Sequence, residues 1–275
     1  MVPTSPSEYV LGHSAAELRR LIEQAAFFGD LTAEVFRRAG LEPGMSVLDV
    51  GCGAGDVAFL AASLVGPDGR VKGIDRAAEA VAVARERAEQ AEAEKVTFEV
   101  GDAATFTSSE TFDAVVGRLV LPYQPNPAAV LRHLASLVRD GGIVAFHECD
   151  LSSAVTKPEV PLFSRLVGYV IETYRRANLE ANMGSRLHSA FRDAGLPAPQ
   201  MIAAARIESG PQSPAYLAVA RVVESAAPMM ERLGVATAAD LELDTIEERL
   251  RDAVVRADAV VFMPMFVGAW ARVTR

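Results

Sequence analysis

Val47-Leu48-Asp49-Val50-Gly51-Cys52-Gly53-Ala54-Gly55-Asp56 reads as a short buried strand, a glycine-rich turn and the first residue of a helix. The apolar run over residues 45–50 suits a strand covered on both faces. Glycines let the backbone approach a ligand closely, and a helix start offers free amides. Spacing narrows the ligand. A dinucleotide fingerprint needs G-x-G-x-x-G, and the sixth position counted from Gly51 is Asp56. A carboxylate there would face a pyrophosphate with like charge, which disfavours NAD or FAD. The pattern present is D-x-G-x-G-x-G, set toward the strand. It suits a ligand with no phosphate and a zwitterionic tail.

Outward from this corner, strands alternate with helices. Strands are expected at 70–75, 96–100, 112–116 and 143–148, and helices at 56–65, 77–91 and 127–138. That alternation implies βαβ units, a parallel sheet and right-handed crossovers. Upstream, Ser14-Ala15-Ala16-Glu17 is a capping box, with Leu18, Leu21, Ile22 and Ala25 on one helical face. A second helix is expected over 30–39, ended by Gly40. Beyond 150, Phe163, Leu166, Val167, Val170, Ile171 and Tyr174 make an apolar helical stripe. A helix is expected at 185–194, a strand at 201–207, continuous helix over 214–256 and a last strand over 260–270.

The 275 residues carry a net charge of −9, half of them are hydrophobic, and only three are lysine (Lys72, Lys95, Lys157). The acidic balance and dispersed arginines argue against a nucleic-acid surface. Two cysteines, Cys52 and Cys149, cannot build a disulfide framework, and His13, His133, His147 and His188 show no metal-ligand spacing. No apolar run is long enough to span a membrane, and the N-terminus lacks the charged and apolar regions of a signal peptide. A cytoplasmic setting and a small-molecule partner are therefore expected, with a homodimer left open.

Two further carboxylates follow strands. Asp75 closes Val71-Lys72-Gly73-Ile74-Asp75-Arg76, where it can accept hydrogen bonds from both hydroxyls of a ribose. Asp102, in Val100-Gly101-Asp102-Ala103, can accept from an adenine amino group. Together with the glycine corner, these residues resemble the class I S-adenosylmethionine-dependent methyltransferases of small-molecule type, the methyltransferase-domain family. The loop at 49–55, Asp75 and Asp102 match that family's first three cofactor motifs in order. Phe112-Asp113-Ala114-Val115-Val116-Gly117-Arg118 resembles its fourth-strand motif and Arg139-Asp140-Gly141-Gly142 the turn before its fifth strand. The likeness covers about residues 41–150.

The resemblance implies an α/β fold: a Rossmann-like, seven-stranded, mostly parallel sheet with helices on both faces. It adds an N-terminal helical cap (1–40) and helical lid insertions near 151–182 and 208–257 of the main domain (41–275). It implies that S-adenosylmethionine is the cofactor. Gly51, Cys52 and Gly53 would pass beside its methionine part, and Asp49 would hold the loop and the amino group. Asp75 would take the ribose, Arg76 would lie over the adenine, and Asp102 and Ala103 would meet the adenine edge. Arg118 would lie near the sulfonium and carboxylate. Tyr9, in a segment that resembles the family's extra cap, would close over the cofactor. The implied activity is methyl transfer to a small, largely apolar acceptor at O, N or C. The alternatives are an NAD(P)-dependent oxidoreductase or a cofactor-binding homologue without methyl transfer.

His147-Glu148 ends the fifth strand, on the side where ligands of open α/β sheets bind. His147 is the candidate proton acceptor there, and the other reading is a hydrogen-bonded strand end. Tyr123, in the loop after the fourth strand, is a candidate substrate wall or donor. Its surroundings lack the Asn or Asp and first Pro of an N-P-P-Y motif. Met229, Met230, Met263 and Met265 either line a soft apolar pocket or fill the core.

Overall fold

The apolar run ahead of the glycines forms β1 (Ser46–Val50), buried along its whole length. The chain leaves it through Gly51, Gly53 and Gly55, all at positive φ, and enters α2 (Asp56–Val65). This computed structural model describes the backbone of residues 15–275 and the side chains of residues 27–275. Tyr9, His13 and the Ser14 side chain lie outside them. β2 (Arg70–Asp75), α3 (Ala78–Gln90), β3 (Val96–Val100), β4 (Phe112–Arg118), α4 (Pro127–Ser136) and β5 (Val138–Asp150) follow in the expected alternation. α6 (Met183–Asp193) leads to β7 (Gln200–Ala204), and β10 (Met265–Arg272) returns antiparallel between β5 and β7.

The seven-stranded order is β3-β2-β1-β4-β5-β10-β7, with β1 through β5 paired in parallel. The expected mostly parallel, helix-covered sheet is present. From the β1–β4 boundary the chain winds outward in both directions, which opens a crevice beyond the carboxyl ends of those two strands.

Three details differ from the expectations. The helices expected on either side of residue 30 are one helix, α1 (Ala15–Ala39). Phe28, Thr32, Val35, Phe36 and Ala39 are all buried and form one unbroken stripe, which outweighs the ~1 kcal/mol that Gly29 costs relative to alanine. The end of α1, with Val35, Phe36 and Ala39, belongs to the sheet's own core: Val35 Cγ2 lies 2.3 Å from where a Cβ on Gly268 would stand, so only glycine admits the helix there.

The last strand is two. Pro264 has no N–H for a ladder, so β9 (Val260–Phe262) joins a separate small sheet between β6 (Val155–Lys157) and β8 (Ile207–Glu208), while β10 enters the main one. The long helical tract also divides, into α7 (Ala215–Arg232), α8 (Ala238–Leu241) and α9 (Ile246–Arg256). Gly234 at φ 65° ends the first, and a Thr237–Asp240 capping box starts the second. With α5 (Pro161–Arg176) and the small sheet, these helices share a core that includes Phe28, Phe163, Met230, Met263 and Phe266, apart from the two cores flanking the main sheet. No helix among the described residues is long and apolar enough to cross a membrane.

Candidate functional site

The crevice is built around Gly51. A Cβ there would lie 2.6 Å from Val120 Cγ2, so the corner after β4 is seated directly on the first glycine. That corner is tightly tied. Leu119 adopts φ 57°, uncommon for a leucine, and its amide donates to the His147 carbonyl at 3.1 Å. The amides of Val120 and Leu121 both donate to Glu148 Oε1, each at 3.1 Å. Glu148 is fully buried, Oε2 has no hydrogen-bond partner, and burial pushes its carboxyl up to about 8 against the three amides of the corner.

Asp49 lies beneath the loop with neither carboxylate oxygen hydrogen-bonded. Burial pushes its carboxyl well above the usual range; Arg118 opposes this, and the nearby Asp75 and Asp56 add to it. A buried carboxylate left unpaired is costly, so the position calls for a cationic donor. Asp75 is half-buried at the end of β2. Its Oδ2 accepts from the Gly53 amide and its Oδ1 from the Ala77 amide, each at 2.9 Å, which fixes the glycine loop and the start of α3. Each oxygen retains acceptor capacity for a hydroxyl. Asp56 holds Arg87 at 2.9 Å, and Arg87 Nη1 also donates to the Ala54 carbonyl. The start of α2 thus carries its own anion, where a dinucleotide would need to place one.

The remaining expected contacts fall around this loop. Cys52 is buried, its amide bonded to the Ile74 carbonyl, and burial pushes its thiol well up; it packs between β1 and β2. Asp102 is half-exposed, with Oδ1 on the Ala104 amide and Oδ2 3.9 Å from Arg76 Nη1. Ala103 is buried beside them. Tyr9 lies outside the described residues. An orphaned carboxylate for an ammonium group, a carboxylate with spare lone pairs at a strand end, and a glycine corner that a Cβ would fill together fit S-adenosylmethionine.

At the end of β5, His147 and Glu148 point to opposite faces of the strand. Arg118 Nη1 donates to Thr32 Oγ1 at 3.2 Å, and His147 Nδ1 lies 3.1 Å from the same oxygen. The Thr32 hydroxyl donates to the Phe28 carbonyl, which assigns His147 the Nδ1–H tautomer. Burial, with Arg118 acting in the same direction, pushes His147 down to about 3. Tyr123 is buried in the 3₁₀ turn Leu121–Tyr123, its hydroxyl 2.6 Å from that of Tyr174 on α5. Sequence reading did not single out Thr32 or Val120, and placed Tyr174 only in an apolar helical stripe. Their roles arise from which strands and helices become neighbours.

Beyond the end of β5, α1, α5, α7 and the β9–β10 link line an open-mouthed apolar cavity of ≈170 Å³. Of the four methionines considered, only Met263 lines it; Met229 and Met230 are core, and Met265 packs on the far side of the sheet.

A family model described as a methyltransferase domain matches residues 41–194, just over half the chain. An arsenite methyltransferase of Halobacterium salinarum is 37% identical over 111 residues, 40% of this chain and 28% of that protein. A 2-phytyl-1,4-naphtoquinone methyltransferase of Synechococcus elongatus is 39% identical over 106 residues, 38% of this chain and 46% of that protein. The chain therefore spans less than half the length of either relative. A solved structure from Bacillus halodurans C-125, described as a candidate methyltransferase, superposes with a TM-score of 0.59 at 21% identity, covering 89% of this chain and 99% of that one. This last likeness shows the fold.

Proposed function

This chain belongs to the methyltransferase-domain family, and on that premise we propose that it moves a methyl group from S-adenosylmethionine to an O, N or C atom of a small, largely apolar molecule. The single observation that carries this is the Asp49 carboxylate, buried without a hydrogen-bond partner beneath a glycine corner at the sheet's switch point. Bound there, the cofactor supplies a sulfonium-activated methyl. Asp49 pairs with an ammonium group, Asp75 accepts from the ribose hydroxyls, and Asp102 with Ala103 meets the adenine edge beside Arg76. Gly51, Cys52 and Gly53 give the close backbone passage. Arg118 lies toward the carboxylate.

The protein's main task on the acceptor side is placement, since orientation alone can supply ~7–11 kcal/mol. Tyr123 walls the acceptor side. His147, neutral and tied to Thr32, supports Arg118; its low proton affinity opposes the general-base role, and a nucleophile already reactive enough needs no base.

Calorimetric titration with S-adenosylhomocysteine tests the reading. Removing two charge-assisted bonds, each worth ~1.5–3 kcal/mol, should weaken binding to Asp75→Ala by at least about a hundredfold. Tight binding of NADP by the wild type, with no response to S-adenosylhomocysteine, would overturn the cofactor and the chemistry together. Unchanged affinity in Asp75→Ala would remove that carboxylate from the site.

A further inference from the structure

The apolar cavity at the end of β5 has walls from five separate parts of the chain: Phe28 on α1, Cys149 on β5, Phe163 on α5, Ala218 on α7, and Met263 and Phe266 around the β9–β10 link. Phe28 and Phe266 stack at 4.3 Å between centroids, and Phe27 meets Phe28 edge-on at 4.6 Å, so one side is an aromatic wall. The polar groups on the lining are few. Arg221 is paired with Glu224 at 2.8 Å, and burial pushes the Cys149 thiol far up, which keeps it neutral.

A dry apolar cavity of ~150 Å³ takes up benzene, and this one is of the same order. Among the described residues, the lining offers a buried polar group only the paired Arg221 and the neutral Cys149, and leaving such a group unpaired costs ~1–3 kcal/mol. Its position is equally informative. Cys149 follows Glu148, whose carboxylate ties down the corner that seats Val120 on Gly51. The cavity thus begins one strand, ~4.8 Å, from β4, whose following corner is seated on Gly51, and two strands from β1 itself.

We propose that this cavity is the acceptor's hydrocarbon subsite: it buries an uncharged, ring-sized group, such as a phenyl, cyclohexyl or short branched alkyl unit. The accepting atom stays outside, between the cavity and the glycine corner. The assignment rests on the methyl-transfer reading and narrows its substrate class. A charged ring would lose hydration against a lining whose one described cation, Arg221, is already paired with Glu224.

The test uses toluene, benzoate and anilinium as probes, read by calorimetry and thermal shift on the full chain, with S-adenosylhomocysteine titrated in parallel. Toluene is expected to bind and raise Tm, and the two charged rings to do neither. Ala218→Phe, which fills the cavity from α7, is expected to weaken toluene at least tenfold while S-adenosylhomocysteine affinity stays within about twofold. Val167→Phe fills it from α5 and serves if the first variant does not fold. Absence of toluene binding, equal binding by wild type and both filled variants, or benzoate binding as well as toluene would each overturn the subsite. Toluene binding as expected with no response to S-adenosylhomocysteine would instead sink the methyl-transfer reading and leave the cavity's chemistry standing.

Discussion

Replacing Gly51 with alanine is expected to destabilise the fold by about 2–5 kcal/mol and to abolish measurable S-adenosylhomocysteine binding. Two costs add. Gly51 sits at φ 65°, and a left-handed residue with a Cβ pays ~1–2 kcal/mol. That Cβ would also stand 2.6 Å from Val120 Cγ2, and relieving such an overlap in a packed region typically costs ~1–3 kcal/mol. Val120 cannot yield cheaply, because its amide and that of Leu121 are held by Glu148 and the Leu119 amide by the His147 carbonyl. Whatever movement occurs therefore opens the crevice where Asp49 and Asp75 must converge on one ligand. Urea denaturation followed by the fluorescence of the single tryptophan, Trp270, gives the stability change. The double variant Gly51→Ala/Val120→Ala separates the two costs. It should regain the packing part relative to Gly51→Ala and keep the backbone part. A Gly51→Ala protein with wild-type stability and affinity would mean that the corner does not form the cofactor's seat.

The glycine corner was legible in the sequence because its geometry is local. Positive-φ turns are written in glycines, the buried parallel strand in the run before them, and the exclusion of a pyrophosphate in Asp56, which the structure pairs with Arg87. Asp75 was singled out for its place at a strand end; its bond to the Gly53 amide depends on the loop folding back and leaves no local signal. The cavity was out of reach for a related reason. Its walls come from positions as far apart as Phe28 and Phe266, and a methionine in the sequence does not say whether it faces a void, as Met263 does, or solid core, as Met230 does. For His147 the sequence left two readings open, a proton acceptor and a hydrogen-bonded strand end. Its place at the end of β5 pointed to chemistry, but strand alternation turns it toward α1, where Thr32 binds it, and gives the ligand-side corner to Glu148.

That opposed pair contributes two limbs of opposite sign to the pH dependence of stability. For His147 the folded value is about 3, below the ordinary 6.5. The unfolded chain takes up this proton first, so the stability it contributes is complete above pH 6.5 and is lost as pH falls toward 3. Glu148 behaves oppositely: its folded value is about 8, above 4.5. The fold keeps a proton that the unfolded chain has released, so stability is complete below pH 4.5 and is lost as pH rises toward 8. Between 4.5 and 6.5 the contributions of these two groups cancel, so the pair itself adds a plateau with a decline on each side, on top of the loss with rising pH that buried Asp49 contributes. At 1.36 kcal/mol per pKa unit, each limb outside the plateau is on the order of 2 kcal/mol. Glu148→Gln keeps an oxygen for the Val120 and Leu121 amides and removes the titration. Its urea stability should track wild type at pH 4.5 and exceed it increasingly from pH 6.5 to 8.5. His147→Asn should flatten the acid limb and leave the pH dependence of methyl transfer unchanged, as a positioning role through Thr32 and Arg118 requires. If the wild-type and Glu148→Gln curves run parallel across pH 6.5–8.5, the corner after β4 is not held by a buried neutral acid. If His147→Asn moves the pH–rate profile, the imidazole takes part in proton transfer after all.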